Sequence, residues 1–243
     1  MSSTPRITTA MVLAAGVGSR LRPLTDTMPK PLVNVGGKPV VIRTLEMLAD
    51  AGIRHVVMNT HYLAPLLESA VRAATPAGMT VHFSHEETLL ETGGGIKRAL
   101  PLLGDGPFVV VNSDAVWLEE VKPLLKPLMA AFDPAQHDTL LAVVSTKDTK
   151  DFLPLGDFKF EKKTKQLSRT PPRETWDVVY AGVNVTTPAL FMAPTLPERF
   201  SLNLIWDDLR AVKRLHGWLY TGGWREIGTH QGLELARAYV TGR

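Results

Sequence analysis

Short apolar runs alternate with segments of helical periodicity along the first part of this chain. The run from Ala10 to Ala15 stops at Gly16, which predicts a buried strand followed by a turn. Between Val40 and Ala51 apolar side chains recur at helical spacing, and Gly52 is a suitable residue to end that helix. The alternation continues with predicted strands at 53–59, 81–84, 107–111 and 140–145 and predicted helices at 63–74 and 95–103. This order predicts an α/β fold with a mostly parallel central sheet and helices on both faces.

The alternation breaks between Thr146 and Trp176, where lysines, arginines and prolines accumulate. We expect a hairpin excursion or a mobile loop on the rim of the active site here, although a solvated surface insert would have the same composition. Beyond it, the pattern predicts a strand at Val178 to Val185 and a helix at Leu202 to Leu215. The predicted elements end with a short strand at 218–220 and a helix at 229–239 whose N-cap is Thr229.

Composition narrows the class of protein. The chain has 243 residues, of which 44% are hydrophobic and 21% charged, so we expect one domain over residues 1–243 with a flexible tail at 1–9. The absence of cysteine excludes disulfides, thiolate zinc sites and a cysteine nucleophile. The formal charge, 27 − 24 = +3, is too small to indicate nucleic-acid binding. Neither a signal sequence nor a membrane-spanning run is visible, which predicts a cytoplasmic protein.

A glycine-containing turn with two arginines follows the first predicted strand. Gly16 and Gly18 allow the backbone to approach a bulky anion and to point N–H groups at it. Arg20 adds a planar group that can grip a phosphate. The segment is neither a Walker A loop nor a dinucleotide fingerprint, because it lacks Gly-Lys-Ser/Thr and has Leu21 where the third glycine would stand. Phosphate binding and an ordinary turn are both compatible with this segment taken alone.

Two further segments carry candidate binding residues. Lys30 lies between Pro29 and Pro31, and the stiff backbone beside proline would hold this lysine in place. Gly93 to Gly95 precede or open a predicted helix, where free N–H donors and a bare backbone would suit close approach of a flat ring or a sugar. The alternative without a binding role is a rigid surface turn for the Lys30 segment and a flexible loop for the glycine segment.

Two acidic residues complete the candidate chemistry. Asp114 follows an apolar strand, and ligands of open α/β sheets bind at the carboxyl ends of strands. Glu226 lies in a glycine-flanked segment near the C-terminus. Two carboxylates together with substrate phosphate oxygens would suit Mg²⁺, which prefers oxygen ligands.

Taken together, four segments resemble the sugar-1-phosphate nucleotidylyltransferases. They are Leu13–Thr25, Pro29–Leu32, the strand-end Asp114 and Trp224–Thr229, and the resemblance extends from about Thr9 to Tyr239. It implies a single Rossmann-like domain of the nucleotide-diphospho-sugar transferase type. It also implies an enzyme that joins an NTP to a sugar 1-phosphate, releases pyrophosphate and uses Mg²⁺.

The resemblance also assigns roles to individual residues. Arg20 would grip the triphosphate, Lys30 would meet the α-phosphate and the incoming sugar phosphate, and Asp114 and Glu226 would ligate Mg²⁺. The nucleotide would be held by Leu13, Ala14, Ala15, Gly16, Gly18, Gly93 and Gly94. The sugar side would be lined by Glu91, Gly156, Asp157 and Gly182. The family has a second lysine on the sugar side in some members, and the sequence does not assign it among Lys159, Lys162 and Lys163.

Within the family, the short chain and the stretch Leu90–Ile96 are most similar to the branch that uridylylates N-acetylmuramate 1-phosphate for peptidoglycan recycling. Two positions depart from the family pattern, since Glu226 stands where Asp is usual and Ser113 where Gly is usual before Asp114. The extra methylene of Glu226 would shift the metal or the backbone. Ser113 would either crowd the site or add a hydrogen bond.

Other functions remain open at this stage. A related transferase could use glucose 1-phosphate with dTTP or a heptose 1-phosphate with GTP, and a non-catalytic nucleotide-sugar sensor could keep the same fold. The basic segment from Lys159 to Arg173 could contact nucleic acid, but few aromatic residues accompany it. We expect small-molecule substrates, no nucleic acid, no membrane, and a monomer or weak homodimer.

Overall fold

The computed structural model describes residues 6–117, 122–149 and 155–242. The strands are β1 (Thr9–Leu13), β2 (Asn34–Val35), β3 (Lys38–Pro39), β4 (His55–Thr60), β5 (Thr80–His85), β6 (Phe108–Asn112), β7 (Ala115–Trp117), β8 (Thr139–Ser145), β9 (Lys159–Phe160), β10 (Leu167–Ser168), β11 (Val178–Thr186), β12 (His216–Leu219) and β13 (Trp224–Glu226). The α-helices are α1 (Val40–Asp50), α2 (Ala64–Ala74), α3 (Glu91–Leu103), α4 (Leu125–Ala131), α5 (Leu202–Ala211) and α6 (His230–Thr241). None of these helices is long and apolar enough to cross a membrane, a finding limited to the described residues.

Seven strands form the central sheet, in the order β12-β8-β11-β6-β1-β4-β5. Six of them run in the same direction, and β11 runs antiparallel to both of its neighbours. The short apolar runs of the sequence are buried in this sheet, as two-sided coverage requires. The predicted α/β fold with a mostly parallel sheet is confirmed.

Helices cover both faces of the sheet, as the alternating pattern predicts. The apolar sides of α1, α2 and α4 pack on one face, and those of α3 and α5 pack on the other. A third, smaller cluster lies under α6 and includes Leu233 and Ala236 of that helix together with Leu21 and Ile227. This last cluster anchors the segment after β1 against the C-terminal helix.

The order in which the strands are added to the sheet reverses between β1 and β6, although these two strands are parallel. From β1 the chain continues to β4 and β5 on one side, whereas β6 lies on the other side of β1. In open α/β sheets such a switch point opens a crevice at the carboxyl ends of the strands. Leu13 is level with Asn59 of β4 and Asn112 of β6 in this sheet. The residues that follow these three strands are therefore brought to one edge.

Several element boundaries differ from the predictions. β1 ends at Leu13, so Ala14 and Ala15 belong to the loop. The helix expected to reach Leu215 ends at Ala211, because Lys213 adopts a left-handed conformation (φ 57°) that turns the chain toward β12. The predicted cap of the last helix is confirmed, since Thr229 Oγ1 accepts a hydrogen bond from the N–H of Gly232. The pattern of hydrophobic and polar residues does not predict α4 or the ribbon formed by β7 and β13.

The segment from Thr146 to Trp176 contains the hairpin β9–β10. Phe158, Phe160 and Leu167 of this segment are buried against the α5 side of the sheet, so the hairpin is anchored in the core. The burial of both phenylalanines leaves neither available to stack on nucleic-acid bases. Residues 150–154 of this predicted excursion lie outside the described residues.

The expected tail at residues 1–9 is structured at its end. Ile7 is buried, and the carbonyl of Thr8 accepts hydrogen bonds from Arg54 and His55. The prediction of a flexible tail is wrong for these residues, because they continue β1 at its amino end and bond to the segment before β4. Residues 1–5 lie outside the described part of the chain.

Candidate active site

A cavity of about 310 Å³ opens at the switch point, beyond the carboxyl ends of β1, β4 and β6. We call it the switch-point cavity. The sequence-predicted residues that line it are Leu13, Ala14, Ala15, Gly16, Lys30, Glu91 and Asp114. Asn59, Glu86 and Arg199 also line it. A crevice in this position is where α/β proteins of this topology bind their ligands.

A second cavity, of about 350 Å³, lies over the antiparallel strand β11. We call it the β11 cavity. Its lining includes Asp157, Arg173, Tyr180, Gly182, Trp224 and Glu226. Asn112 and Asp114 line both cavities, so the two spaces meet at the end of β6. Two substrates could therefore be held side by side with Asp114 between them.

Two pairs of opposite charge lie around this junction. Lys30 Nζ donates a hydrogen bond of 2.7 Å to Asp114 Oδ2, and the lysine side chain is only 13% exposed. Arg20 Nη2 lies 3.7 Å from Glu226 Oε1, and its side chain is 66% exposed. The largely buried lysine is held by its bond to Asp114, whereas the exposed arginine can reorient toward a polyanion.

The two carboxylates are held together by the β7–β13 ribbon. Glu226 is paired with Ala115, the residue after Asp114, and the N–H of Ile227 donates a 2.8 Å hydrogen bond to the carbonyl of Asp114. Burial raises the pKa of Glu226, and the nearby charge of Asp114 raises it further, while Lys30 and Arg20 oppose the shift. Two partly buried carboxylates that repel each other provide oxygen donors suited to a hard cation.

The protein alone supplies few ligands for such a cation. Among residues 6–117, 122–149 and 155–242, no group of three or more His, Asp or Glu side chains is arranged to hold a metal ion. Asp114 and Glu226 would therefore need substrate phosphate oxygens to complete the coordination of Mg²⁺. This is the donor set that the sequence analysis anticipates.

The loop after β1 is shaped for close approach to Lys30. Gly18 adopts a left-handed conformation (φ 69°), and a Cβ at this position would lie 3.0 Å from Lys30 Cβ. Thr25 Oγ1 donates a 2.8 Å hydrogen bond to the carbonyl of Gly18. Ser113 Oγ donates a 2.7 Å hydrogen bond to the carbonyl of Leu13. The unusual serine therefore ties the end of β6 to the end of β1.

The three consecutive glycines have a packing role in this structure. α3 begins at Glu91, ahead of the predicted start at Gly95, so the glycines lie in its first turns. A Cβ on Gly93 would lie 2.3 Å from the ring of Phe200, and one on Gly94 would lie 2.3 Å from the carbonyl of Glu198. Gly93 and Gly94 are absent from the described lining of the switch-point cavity, and their N–H groups donate to the carbonyl of Phe200. The structure does not present them to a ligand as the sequence analysis expects.

The β11 cavity is shaped by an irregularity in β11. Pairing with β8 shifts register between Tyr180 and Asn184, and Gly182 lies in the shifted stretch with φ 78°. Asp157 Oδ2 accepts a 3.0 Å hydrogen bond from the N–H of Tyr180, which fixes this carboxylate beside the cavity. Gly156 instead packs under the carbonyl of Trp176 and is not among the described lining residues.

Glu91 occupies a different place from the one expected. It lines the switch-point cavity instead of the β11 cavity, and its Oε1 lies 3.1 Å from Arg199 Nη2. Its backbone is left-handed (φ 63°), which is uncommon for a non-glycine residue. Glu91 is therefore in a different cavity from Asp157 and Gly182, with which the sequence analysis groups it.

The sequence analysis did not identify Asn59, Glu86, Asn112 or Arg199 as site residues, although all four line the switch-point cavity. Asn59 and Asn112 could have been found, because each is a polar residue near the carboxyl end of a predicted strand. Arg199 follows no motif and reaches the cavity only through the packing of its neighbour Phe200 on α3. Such a residue needs the tertiary structure to be recognised.

Comparison with known proteins defines the class. A sequence profile described as nucleotidyl transferase matches residues 9–241. The chain therefore belongs to the nucleotidyl transferase family, and the resemblance carried by its motifs is confirmed. It is an enzyme of that class, with the glycine-containing loop after β1 and the two carboxylates Asp114 and Glu226 near the carboxyl ends of the central strands.

Two relatives and one solved structure are similar to the chain over nearly its whole length. The chain is 38% identical over 242 residues to an N-acetylmuramate alpha-1-phosphate uridylyltransferase of Caulobacter vibrioides, with 98% of each chain covered. It is 34% identical over 232 residues to the protein of the same description from Neisseria meningitidis serogroup B, covering 94% of this chain and 96% of that one. A solved structure of UDP-glucose pyrophosphorylase complexed with UDP-glucose matches with a TM-score of 0.79 at 20% identity, over 98% of this chain and 100% of that one. That last likeness confirms the fold.

Proposed function

We propose that this enzyme transfers UMP from UTP to N-acetylmuramate 1-phosphate, releasing pyrophosphate and forming a UDP-sugar for peptidoglycan recycling. The two relatives of that description support the choice of substrates. The observation that carries the proposal is the position of Asp114 and Asn112, which line two adjoining cavities at once. The nucleotide would occupy the switch-point cavity and the sugar phosphate the β11 cavity.

The reaction needs charge and alignment more than acid–base chemistry. A phosphate oxygen of the sugar phosphate is ionised at neutral pH and can attack the α-phosphorus without a general base. The bond from the α-phosphorus to the bridging oxygen breaks as the new bond forms, and pyrophosphate leaves with the electron pair. The protein must align two polyanions that repel each other, so catalysis rests on positioning and electrostatic stabilisation.

The cationic side chains suit two different parts of this task. Lys30 lies at the junction of the cavities and is held by Asp114, so it can contact the transferred phosphate and the incoming one. Arg20 is exposed beside Glu226 and can reach the β- and γ-phosphates. The ion pairs seen with the two carboxylates hold these side chains close to where substrate charge would develop.

Asp114 and Glu226 are the residues that would hold Mg²⁺. Their proximity and the raised pKa of Glu226 are as expected for a carboxylate pair that gains from a nearby cation. Bound there together with phosphate oxygens, the ion would neutralise charge on the triphosphate. Glu226 is the last residue of β13, and it would hold the ion through the longer of the two acidic side chains.

A substrate panel tests the proposal. Pyrophosphate release is measured with each of UTP, dTTP, GTP and CTP against N-acetylmuramate 1-phosphate, glucose 1-phosphate and a heptose 1-phosphate, with and without Mg²⁺. We expect UTP with N-acetylmuramate 1-phosphate to have the highest kcat/KM and to require Mg²⁺. A higher kcat/KM for another pair would overturn the substrate assignment, and substrate binding without pyrophosphate release would indicate a sensor.

A further inference from the structure

A buried carboxylate lies at the wall of the switch-point cavity and takes no part in the proposed transfer. Glu86 is only 1% exposed, and Asn59 beside it is 3% exposed. Both residues line the cavity. Burying an ionised carboxylate is costly unless its oxygens receive hydrogen bonds, so the partners of Glu86 explain why it is there.

The hydrogen bonds of this pair connect two walls of the cavity. The N–H of Ala14, the first residue after β1, donates to Asn59 Oδ1 at 2.7 Å. Asn59 Nδ2 donates to Glu86 Oε1 at 2.7 Å, and the N–H of Leu90 donates to Glu86 Oε2 at 2.9 Å. A continuous chain of three buried hydrogen bonds thus runs from the loop after β1 to the residue that precedes α3.

The order of donors and acceptors in this chain is fixed. The backbone N–H groups of Ala14 and Leu90 can only donate, so each must meet an oxygen. The amide of Asn59 must therefore direct its oxygen to Ala14 and its nitrogen to Glu86, and both oxygens of Glu86 must accept. With a carboxylate at position 86, an amide at position 59 is needed to satisfy every group.

Gly95 leaves the space that this pair needs. A Cβ at Gly95 would lie 2.7 Å from Glu86 Oε1 and 2.8 Å from Asn59 Nδ2. The third glycine of the run therefore accommodates the polar pair, whereas the first two accommodate Phe200 and Glu198. A residue of low helix propensity therefore occupies a helical position, and its missing side chain leaves room for the Asn59–Glu86 pair.

We infer that Asn59 and Glu86 form a positioning unit that sets the distance between the loop at Ala14 and the segment at Leu90, and thereby the affinity of the enzyme for its nucleotide. This inference rests on the proposed function, in which the nucleotide occupies the switch-point cavity. Neither residue needs to touch the transferred phosphate. Their effect is directed at the nucleotide, because both cavity walls that they join belong to the switch-point cavity.

An exchange of the two functional groups tests the inference. In Glu86→Gln the new amide must place its N–H₂ group against Asn59 Nδ2 or against the N–H of Leu90, so two donors face each other. In Asn59→Asp two carboxylates face each other. The double variant Asn59→Asp/Glu86→Gln restores every hydrogen bond. The new carboxylate at position 59 accepts from Ala14 and from the new amide at position 86, whose oxygen accepts from Leu90.

We expect each single variant to raise the KM for UTP about tenfold, which corresponds to one disrupted buried hydrogen bond. The KM for the sugar phosphate should stay within about twofold of the wild type, and the double variant should restore the KM for UTP to within about threefold. The matched control is Thr44→Val, which removes a buried hydrogen bond to the carbonyl of Val40 on α1. It should lower the melting temperature and leave both KM values unchanged.

The contrary results are distinct. If the single variants lower the melting temperature as Thr44→Val does while their KM for UTP stays at the wild-type value, the pair is only structural and the inference is wrong. A double variant no better than the singles would also overturn it, because the order of hydrogen bonds would then not matter. Calorimetric titration with UTP and Mg²⁺ repeats the comparison without turnover, so a wild type that binds UTP but releases no pyrophosphate would refute the proposed function separately.

Discussion

The switch-point cavity and the β11 cavity are built in different ways. The first is formed mainly by residues at or just after the carboxyl ends of neighbouring parallel strands, as Leu13 and Ala14 are for β1 and Asn112 and Ser113 for β6. The second is assembled from the approach to the β9–β10 hairpin, a register shift in β11 and the β7–β13 ribbon. A cavity at parallel strand ends is therefore specified by topology, whereas a cavity over an irregular antiparallel strand depends on contacts between distant segments.

Asp114 belongs to both cavities, so its removal should have the largest effect. In Asp114→Ala the proposed metal ligand is lost and Lys30 loses its 2.7 Å partner. We expect kcat for pyrophosphate release to fall by roughly two or more orders of magnitude, as removal of a key electrostatic group does. Steady-state kinetics over a range of Mg²⁺ concentrations measures this loss.

The control for Asp114→Ala is Asp105→Ala, which removes an exposed carboxylate from the turn after α3. This variant should retain the wild-type kcat and Mg²⁺ dependence. If Asp114→Ala kept a kcat close to that of the wild type, the two cavities would not meet at a functional junction. A melting curve shows whether the unpaired Lys30 destabilises the fold enough to contribute to the loss.

The glycine run tests how the wall of the switch-point cavity is packed. In Gly94→Ala the new Cβ would lie 2.3 Å from the carbonyl oxygen of Glu198, a backbone atom that cannot move aside alone. We expect the free energy of unfolding to drop by about 1–3 kcal/mol, the usual cost of overpacking. Urea denaturation measures it. Gly106→Ala is the control, since nothing lies within 4 Å of a Cβ there, and equal effects of the two variants would contradict the packing role.

The contrast between the cavities also explains what the sequence could predict. Lys30, Asp114 and the loop from Leu13 to Gly16 were predictable, because motif spacing and strand order bring them to one edge. The role of Gly94 was not, because a glycine required by a ligand and a glycine required by a distant backbone carbonyl look alike in sequence. Asp157 was assigned through family resemblance alone, and its contact with Tyr180 depends on the packing of the hairpin.

Arg169 provides a test confined to the β11 cavity. Its Nε donates a 3.2 Å hydrogen bond to the carbonyl of Asp157, and its other two guanidinium nitrogens bind Asp207 and Asn203 of α5. The guanidinium also lies 4.6 Å from the ring centroid of Phe158. Loss of this group should let Asp157 shift away from the cavity. We expect Arg169→Ala to raise the KM for the sugar phosphate a few-fold, equivalent to about 1 kcal/mol, with little change in the KM for UTP.

A matched control for Arg169 lies on α5. Arg210 makes an ion pair of the same length, 3.2 Å, with the same oxygen of Asp207, but within the described residues its contacts do not extend to Asp157. Arg210→Ala should therefore leave the KM for the sugar phosphate unchanged. If Arg169→Ala raised both KM values equally, the two cavities would not be independent and the comparison between them would fail.

The smallest effect is expected at a histidine pair far from both cavities. His216 begins β12 and His137 precedes β8, so both lie at the amino ends of parallel strands, the edge of the sheet opposite Asp114. Their rings contact edge to face with centroids 5.2 Å apart. Burial lowers the pKa of each histidine; the proximity of His216 lowers that of His137 further, while the carboxylates of Asp133 and Asp138 partly oppose the shift.

Because the folded-state pKa of His137 lies below the ordinary value of 6.5, the unfolded chain binds a proton more readily. The stability contributed by the neutral ring is fully present above about pH 6.5 and is lost as the pH falls below it. Protonation also removes the acceptor that receives the N–H of Asp133 at 3.1 Å. The midpoint of urea denaturation should therefore change less between pH 7.5 and pH 5.5 in His137→Gln than in the wild type. The control is His82→Gln at an exposed position, which should show the same change as the wild type. Since this edge of the sheet contacts neither cavity, His137→Gln should leave the KM values for UTP and for the sugar phosphate unchanged at pH 7.5. A change in either KM would mean that the cavities respond to the opposite edge of the sheet.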